Sequence, residues 1–179
     1  MDAARQFRDV LGCFTTGVCV AAVDHDAGVH GVTINSFSAL SLDPMQVLFC
    51  PRKPGRFAGF LALAERFSLN VLRDEQRALS IFFAGAWKEG VSPPFRFVRD
   101  SGAPRLEGSL ASIICRKSAV HDGGDHWLVI GDVITLRLGV VPHVPLVVYK
   151  GKYQRLQTEG TAPAVEDVQD EPPTVYYHG

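Results

Sequence analysis

Residues 110–138 read LASIICRKSAVHDGGDHWLVIGDVITLRL, and the periodicity of this stretch decides the fold. In Leu110–Ala119 the odd positions Ala111, Ile113, Cys115 and Ala119 are apolar, with Lys117 the exception. In Trp127–Leu138 the even positions Leu128, Ile130, Ile134, Leu136 and Leu138 are apolar, with Asp132 the exception. Alternation with a period of two points one face of a segment to a core and the other to water, the pattern of a half-buried strand. Between the two segments, His121–His126 offers two glycines and two aspartates, residue types that a tight connection favours. The expectation is an antiparallel hairpin.

Upstream of that hairpin, Val18–Val23 is apolar on both faces and reads as a core strand. Asp24–Gly28 supplies turn residues, and Val29–Ile34 returns antiparallel. Gln46–Cys50, Phe67–Leu72 and Pro145–Tyr149 are further short strands. Helical spacing occurs three times: Phe7, Val10, Leu11 and Phe14 within 3–14, with Asp2 as N-cap; Phe57, Phe60, Leu61 and Ala64; and Leu79, Phe82 and Phe83 behind Asp74 as N-cap. Pro51-Arg52-Lys53-Pro54-Gly55, in which two prolines bracket two cations, and Ala84–Pro94 are loops. Six to eight short strands with about three helices, and no regular strand–helix alternation, predict a mainly β antiparallel barrel with peripheral helices rather than a doubly wound sheet. Residues 1–157 make this domain. Residues 158–179 carry Glu159, Glu166, Asp167, Asp170 and Glu171 among prolines and no Lys or Arg. They read as a flexible acidic tail, ending in an apolar Val175-Tyr176-Tyr177.

With 179 residues, 46% of them hydrophobic and 21% charged, the chain has the composition of a soluble globular domain. Eighteen basic against nineteen acidic side chains leave a charge of −1, so no global field favours nucleic acid or an anionic membrane. MDAARQFRDV lacks a signal-peptide layout and no apolar run reaches membrane-spanning length, so a cytoplasmic protein is expected. Cys13, Cys19, Cys50 and Cys115 are widely spaced and read as reduced core thiols. The six histidines show no ligand spacing with them, which argues against a metal site.

Several chemistries are excluded by what is missing: there is no Gly-x-Gly-x-x-Gly, no Walker loop, no Gly-x-Ser-x-Gly elbow and no close carboxylate pair. Three local features remain. GVTINSFSALSLDP at 31–44 places Thr33, Asn35, Ser36, Ser38 and Ser41 within nine residues. A buried hydroxyl left unpaired costs about 1–3 kcal/mol, so such a cluster implies either a polar ligand or, as the alternative, a serine-rich turn bonding its own backbone. Arg52, Lys53 and Arg56 precede a predicted helix N-terminus, where charge and free N–H groups favour a phosphate. The alternative is a solvated cationic loop. Gly124-Asp125-His126 is either a ligand-facing tip or an ordinary turn.

The chain resembles the short-chain flavin reductase family, the small partners of two-component flavin-dependent monooxygenases. The resemblance runs from about Arg5 to Tyr153 and rests on FRDVLGCFTTGVCV at 7–20, GVTINSFSALSLDP at 31–44, FSLNVLRDEQ at 67–76, GDH at 124–126, IGDV at 130–133 and PLVVYKGKY at 145–153. It implies an FMN-binding split β-barrel and a homodimer with flavin sites near the subunit interface. By this resemblance Thr33, Asn35, Ser36, Ser38 and Ala39 contact the isoalloxazine and ribityl chain, and Cys50, Pro51, Arg52, Lys53, Arg56 and Phe57 hold the phosphate end. Phe83 borders the site, Asp125 and His126 take the nicotinamide cofactor, and Tyr153 is a neighbour. Three positions depart from the usual pattern: Pro54-Gly55 replaces hydroxyl-bearing residues, Met45 stands where a second proline is common, and Trp127 follows GDH in place of a smaller side chain.

The implied reaction is hydride transfer from NADH or NADPH to FMN or FAD, with release of reduced flavin to a partner flavin-dependent monooxygenase. The cofactors carry that chemistry, so the protein needs to orient them and not to supply an acid–base dyad. His126 is then a positioning residue at the catalytic centre. Two alternatives stand beside this reading: a split-barrel flavoenzyme that keeps its flavin and acts on an organic substrate, and a flavin-binding module without turnover.

Overall fold

The two alternating segments form the longest strands of the molecule. A computed structural model describes residues 2–88, 90–140 and 144–156. In chain order the elements are α1 (Ala3–Leu11), β1 (Thr16–Gly17), β2 (Cys19–His25), β3 (Gly28–Ile34), β4 (Ser38–Leu42), β5 (Met45–Phe49), α2 (Arg56–Leu63), β6 (Arg66–Val71), a 3-10 turn (Asp74–Gln76), α3 (Arg77–Phe83), β7 (Phe97–Asp100), β8 (Ala103–Leu106), β9 (Ala111–Gly123), β10 (His126–Leu138), β11 (Leu146–Tyr149) and β12 (Lys152–Arg155). Seven strands form one sheet in the order β3-β2-β6-β9-β10-β5-β4, flanked by the sheets β1-β11-β12 and β7-β8. Every pairing is antiparallel. The fold is the expected split barrel, mostly antiparallel β with peripheral helices.

Strand β2 is apolar on both faces because it divides two cores. Cys19, Ala21 and Val23 join a cluster with Phe49, Phe57, Leu61, Phe67, Leu69, Cys115 and Val129. Val18 and Val20 point the other way, into a cluster with Leu72, Leu79, Leu106 and Leu146. Burying a Phe or Leu side chain contributes about 1.5–3 kcal/mol, so these two clusters hold the barrel to its helices. Between the strands, the buried Asn70 carboxamide donates to the Val20 carbonyl (3.0 Å) and to Ser68 Oγ (2.8 Å). It accepts from Leu106 N (3.0 Å) and Ser112 Oγ (2.9 Å). One side chain thus ties β2, β6, β8 and β9 together.

Four expectations are revised. The chain has twelve strands among the described residues, because β1, β7, β8 and β12, at two to four residues each, are too short to show a period. Ser38–Leu42, read as loop, pairs with β5 as an edge strand. The helix at 3–14 stops at Leu11, although Asp2 caps it through a bond from Ala4 N (3.2 Å). Asp74 opens a 3-10 turn instead of capping α3, and its carboxylate is held by Arg155 at 2.8 Å.

The antiparallel hairpin forms as expected, but its connection is shorter than His121–His126: only Gly124-Asp125 separates the strand ends Gly123 and His126. Its apolar even positions do not face the core. Val129 is fully buried, whereas Ile134, Leu136 and Leu138 are 44%, 56% and 91% exposed. Register shifts at Ile130/Gly131 and Val133/Thr135 and the packing of Phe67 over Gly131, where a Cβ would overlap Phe67 and Cys115, set the opposite face inward. Phe7, Val10, Leu11 and Phe14 are also more than half exposed. The tail 158–179 lies outside the described residues.

Candidate functional site

A cleft of about 540 Å³ is lined by Val32, Thr33, Ile34, Asn35, Ser36, Cys50, Pro51, Arg52, Gly55, Phe57, Ala84 and His126. Four separate segments meet there: the end of β3 with the turn after it, the loop from β5 to α2, the residue after α3, and the tip of the β9–β10 hairpin. The volume falls within the roughly 300–1,000 Å³ of small-molecule sites.

The hydroxyls of the first wall hold the cleft together across distant segments. Ser36 Oγ accepts from Cys50 N (2.9 Å) and donates to the Cys50 carbonyl (3.2 Å), joining the two walls at one point. Thr33 Oγ1 donates to the Ser80 carbonyl (2.7 Å), and Ser80 Oγ is bonded to the Tyr153 hydroxyl (2.8 Å). The partners of Thr33 and Ser36 are distant segments, 47 and 14 positions away, which sequence spacing has no means of showing. Ser38 and Ala39 start the exposed edge strand β4, with Ser38 Oγ donating to the Ala39 carbonyl (3.1 Å).

The cationic loop is stitched to the hairpin tip by backbone bonds. Lys53 N donates to the Asp125 carbonyl (3.0 Å), Trp127 N donates to the Pro51 carbonyl (2.9 Å), and Arg52 bridges His126. Gly55 precedes α2 and no side chain caps that end; Ala58 N donates back to the Gly55 carbonyl (3.1 Å), which leaves the N–H groups of Arg56 and Phe57 to face an anion. Arg52 lines the cleft and Arg56 begins α2. Lys53 is not among the lining residues; its ammonium pairs with Asp122 and lies 4.5 Å from the Trp127 ring centroid.

At the tip, His126 Nδ1 is 2.7 Å from Asp125 Oδ1. The hydrogen bond and charge of His126 hold the Asp125 carboxyl below its ordinary range, and the Asp125 bond leaves Nε2 as the imidazole nitrogen available to a ligand. The Lys53 hydrogen bond lowers Asp122 in the same way, with help from Gly124 N. Burial pushes the Cys50 thiol up, so it stays protonated and is no nucleophile.

Of the residues expected at the site, Thr33, Asn35, Ser36, Cys50, Pro51, Arg52, Phe57 and His126 share the cleft. Ser38, Ala39, Lys53, Arg56, Asp125, Phe83 and Tyr153 lie around it. Phe83 packs behind β3, where a Cβ on Gly31 would stand 2.9 Å from its ring, and Tyr153 sits beneath Arg77 at 5.2 Å. Gly55, noted above for the departure at Pro54-Gly55, also lines the cleft, and Val32, Ile34 and Ala84 complete the lining and were not anticipated. The two β3 residues alternate with Thr33 and could have been inferred from its neighbourhood, but Ala84 carries no sequence signal. Among the described residues no cluster of His, Cys, Asp and Glu is suited to a metal ion, and no helix is long and apolar enough to cross a membrane.

Apolar walls, an amide and two hydroxyls along one side, and cations at a helix N-terminus suit a planar heteroaromatic ring with an anionic tail. Residues 11–157 match the model of the flavin reductase like domain. The chain is 41% identical over 167 residues to the flavin-dependent monooxygenase reductase subunit HsaB of Mycobacterium tuberculosis, covering 89% of this chain and 86% of that one. It is 37% identical over 133 residues to the FMN reductase (NADH) SmoA of Agrobacterium fabrum, covering 74% and 76%. The solved structure of flavin reductase PheA2 in its native state superposes with a TM-score of 0.82 at 32% identity, over 88% of this chain and all of that one.

Proposed function

The chain belongs to the flavin reductase like domain family, and on that premise we propose that it is an NAD(P)H:flavin oxidoreductase that reduces FMN or FAD and supplies a partner monooxygenase. The observation that carries this reading is the convergence of the hydroxyl-and-amide wall, the cationic loop and His126 on one cleft. Flavin and nicotinamide, when bound, supply the hydride acceptor and donor.

The chain's own residues bind and orient. Asn35, Ser36 and Thr33 border the ring, with Thr33 still able to accept a bond because its proton is committed to Ser80. Arg52, Arg56 and the uncapped start of α2 hold the phosphate end. Val32, Ile34 and Phe57 exclude water from the ring. His126, oriented through Nδ1 by Asp125, offers Nε2 to the second cofactor. By orienting both cofactors in one cleft, these residues would convert their encounter into an effectively unimolecular step.

The oligomer we infer is a homodimer. Ile134, Leu136 and Leu138 on one strand and the Phe7, Val10, Leu11 and Phe14 stripe form apolar surface of the kind that marks an interface, and a two-fold contact is the commonest way to cover it. Four free cysteines fit a reducing compartment, and we place the protein in the cytoplasm.

Anaerobic mixing with NADH tests the reaction: rapid bleaching of free flavin is expected. Flavin that binds but is not reduced would favour the binding module, and reduced flavin that stays on the protein the flavin-retaining enzyme. Arg56→Ala is expected to weaken FMN by about tenfold or more, since charge-assisted bonds contribute about 1.5–3 kcal/mol, with little effect on riboflavin. Equal losses for both would remove Arg56 from the phosphate end.

A further inference from the structure

Trp127 and Asp122 are directly opposed across the hairpin, so their side chains share one face, while His126, one residue before Trp127, points to the other. That second face is the cleft, where His126 is a lining residue. On the first face, Lys53 reaches across from the β5–α2 loop. Its ammonium pairs with Asp122 and stands 4.5 Å over the Trp127 ring. The Asp122 carboxylate meanwhile uses its other oxygen to accept Gly124 N (3.0 Å), holding the turn itself. Trp127 also packs against the larger core, so the hairpin tip is rooted at its base and latched at its end.

We propose that Lys53, Asp122 and Trp127 form a latch that positions His126 for the nicotinamide cofactor, and that Lys53 is not a ligand of the flavin phosphate. The proposal rests on the reductase reading above and refines it. Lys53 is the middle of three cations in the loop, and its ammonium reaches Asp122 and Trp127 on the hairpin, whereas Arg52 lines the cleft and Arg56 starts α2. The tip is also bonded to the loop through Lys53 N and Trp127 N, so a shift of the Lys53 side chain is transmitted to His126 through two backbone hydrogen bonds. Lys53 and Asp122 are therefore positioning residues that act through His126.

The test compares Lys53→Met, Asp122→Asn, the double variant and Lys53→Arg, measuring NADH KM, kcat, and the Kd of FMN and riboflavin. An exposed ion pair and a cation–π contact are each modest, so each single variant is expected to raise NADH KM by about three- to tenfold. Flavin affinities should stay within about twofold. The double variant should be no worse than the more damaged single, because both changes break one latch. Lys53→Arg, which keeps the charge and stacks on an aromatic face, should restore most of the KM. Loss of FMN but not riboflavin affinity in Lys53→Met would make Lys53 a phosphate ligand and overturn the latch, as would additive losses or an unchanged KM in every variant. Absence of flavin-dependent NADH oxidation in the unaltered protein would instead overturn the reductase reading on which the latch rests.

Discussion

Replacing Asn70 by alanine should be among the most damaging single changes in this chain, although Asn70 is no part of the cleft. Its carboxamide is fully buried and makes four hydrogen bonds, to Val20, Ser68, Leu106 and Ser112. Alanine leaves Leu106 N–H and the Ser112 hydroxyl without the acceptor they share. Each buried group so orphaned costs about 1–3 kcal/mol, and the space vacated by the amide adds to this. Ser68 is less affected, because its hydroxyl keeps the Pro104 carbonyl as acceptor. The sum is about 3–5 kcal/mol, a large share of the roughly 5–15 kcal/mol that holds a domain folded. At about 2–4 °C per kcal/mol for a chain of this size, Tm should fall by roughly 6–20 °C. Urea unfolding at fixed protein concentration should show a lower midpoint with an unchanged slope. Asn70→Leu, which refills the space but not the bonds, should recover less than half of the loss. A midpoint shift worth under about 1 kcal/mol for Asn70→Ala, or full recovery in Asn70→Leu, would refute the claim that the bonds and not the volume hold these strands together.

His126→Ala should raise NADH KM while leaving flavin affinity nearly unchanged, as steady-state kinetics and flavin fluorescence would show; the reverse outcome would assign the hairpin tip to the flavin. Leu136→Glu, on the open face of β10, should convert a species of twice the 19.5 kDa chain mass into a monomer by light scattering; a monomer before substitution would remove the dimer. Burial lowers the His30 pKa from its ordinary 6.5, with Arg56 and His25 adding repulsion. The unfolded chain therefore binds this proton more readily, and the His30 contribution to stability is complete above about pH 6.5 and lost as pH falls through that value toward the depressed folded pKa. His30→Gln should flatten the dependence of the urea midpoint as pH falls from about 7 through 6.5 and below, and an identical slope in the variant would exclude His30 as its source.

The hairpin, the β2–β3 pair and the existence of three helices were legible because each is a local periodic pattern, although the first helix stops before Phe14. The site was half legible. Thr33, Asn35, Ser36, Cys50, Pro51, Arg52, Phe57 and His126 carry recognisable motifs, whereas Val32, Ile34 and Ala84 are ordinary small or aliphatic residues whose presence in the cleft depends on which segments meet. Tyr153 and Phe83 were placed near the site and lie behind it, where they support Ser80 and Gly31.

What the sequence by itself determined is the long alternating strands and their antiparallel pairing through a turn within His121–His126, and the residue types available for a flavin-like ligand. Period-two alternation and turn chemistry follow from the backbone geometry of a few neighbouring residues, so they need no knowledge of the rest of the chain. Tertiary structure alone decided which face of β10 is covered. The Phe67 ring occupies the space beside Gly131, a register shift follows, and the alternating leucines are left outward. It also decided that Ser36 joins Cys50, that Thr33 joins Ser80, and that Lys53 is turned from the cleft to Asp122 and Trp127. Hydrogen-bond partners and covered faces are properties of segments brought together from 14 to 69 positions away, and no local period encodes them.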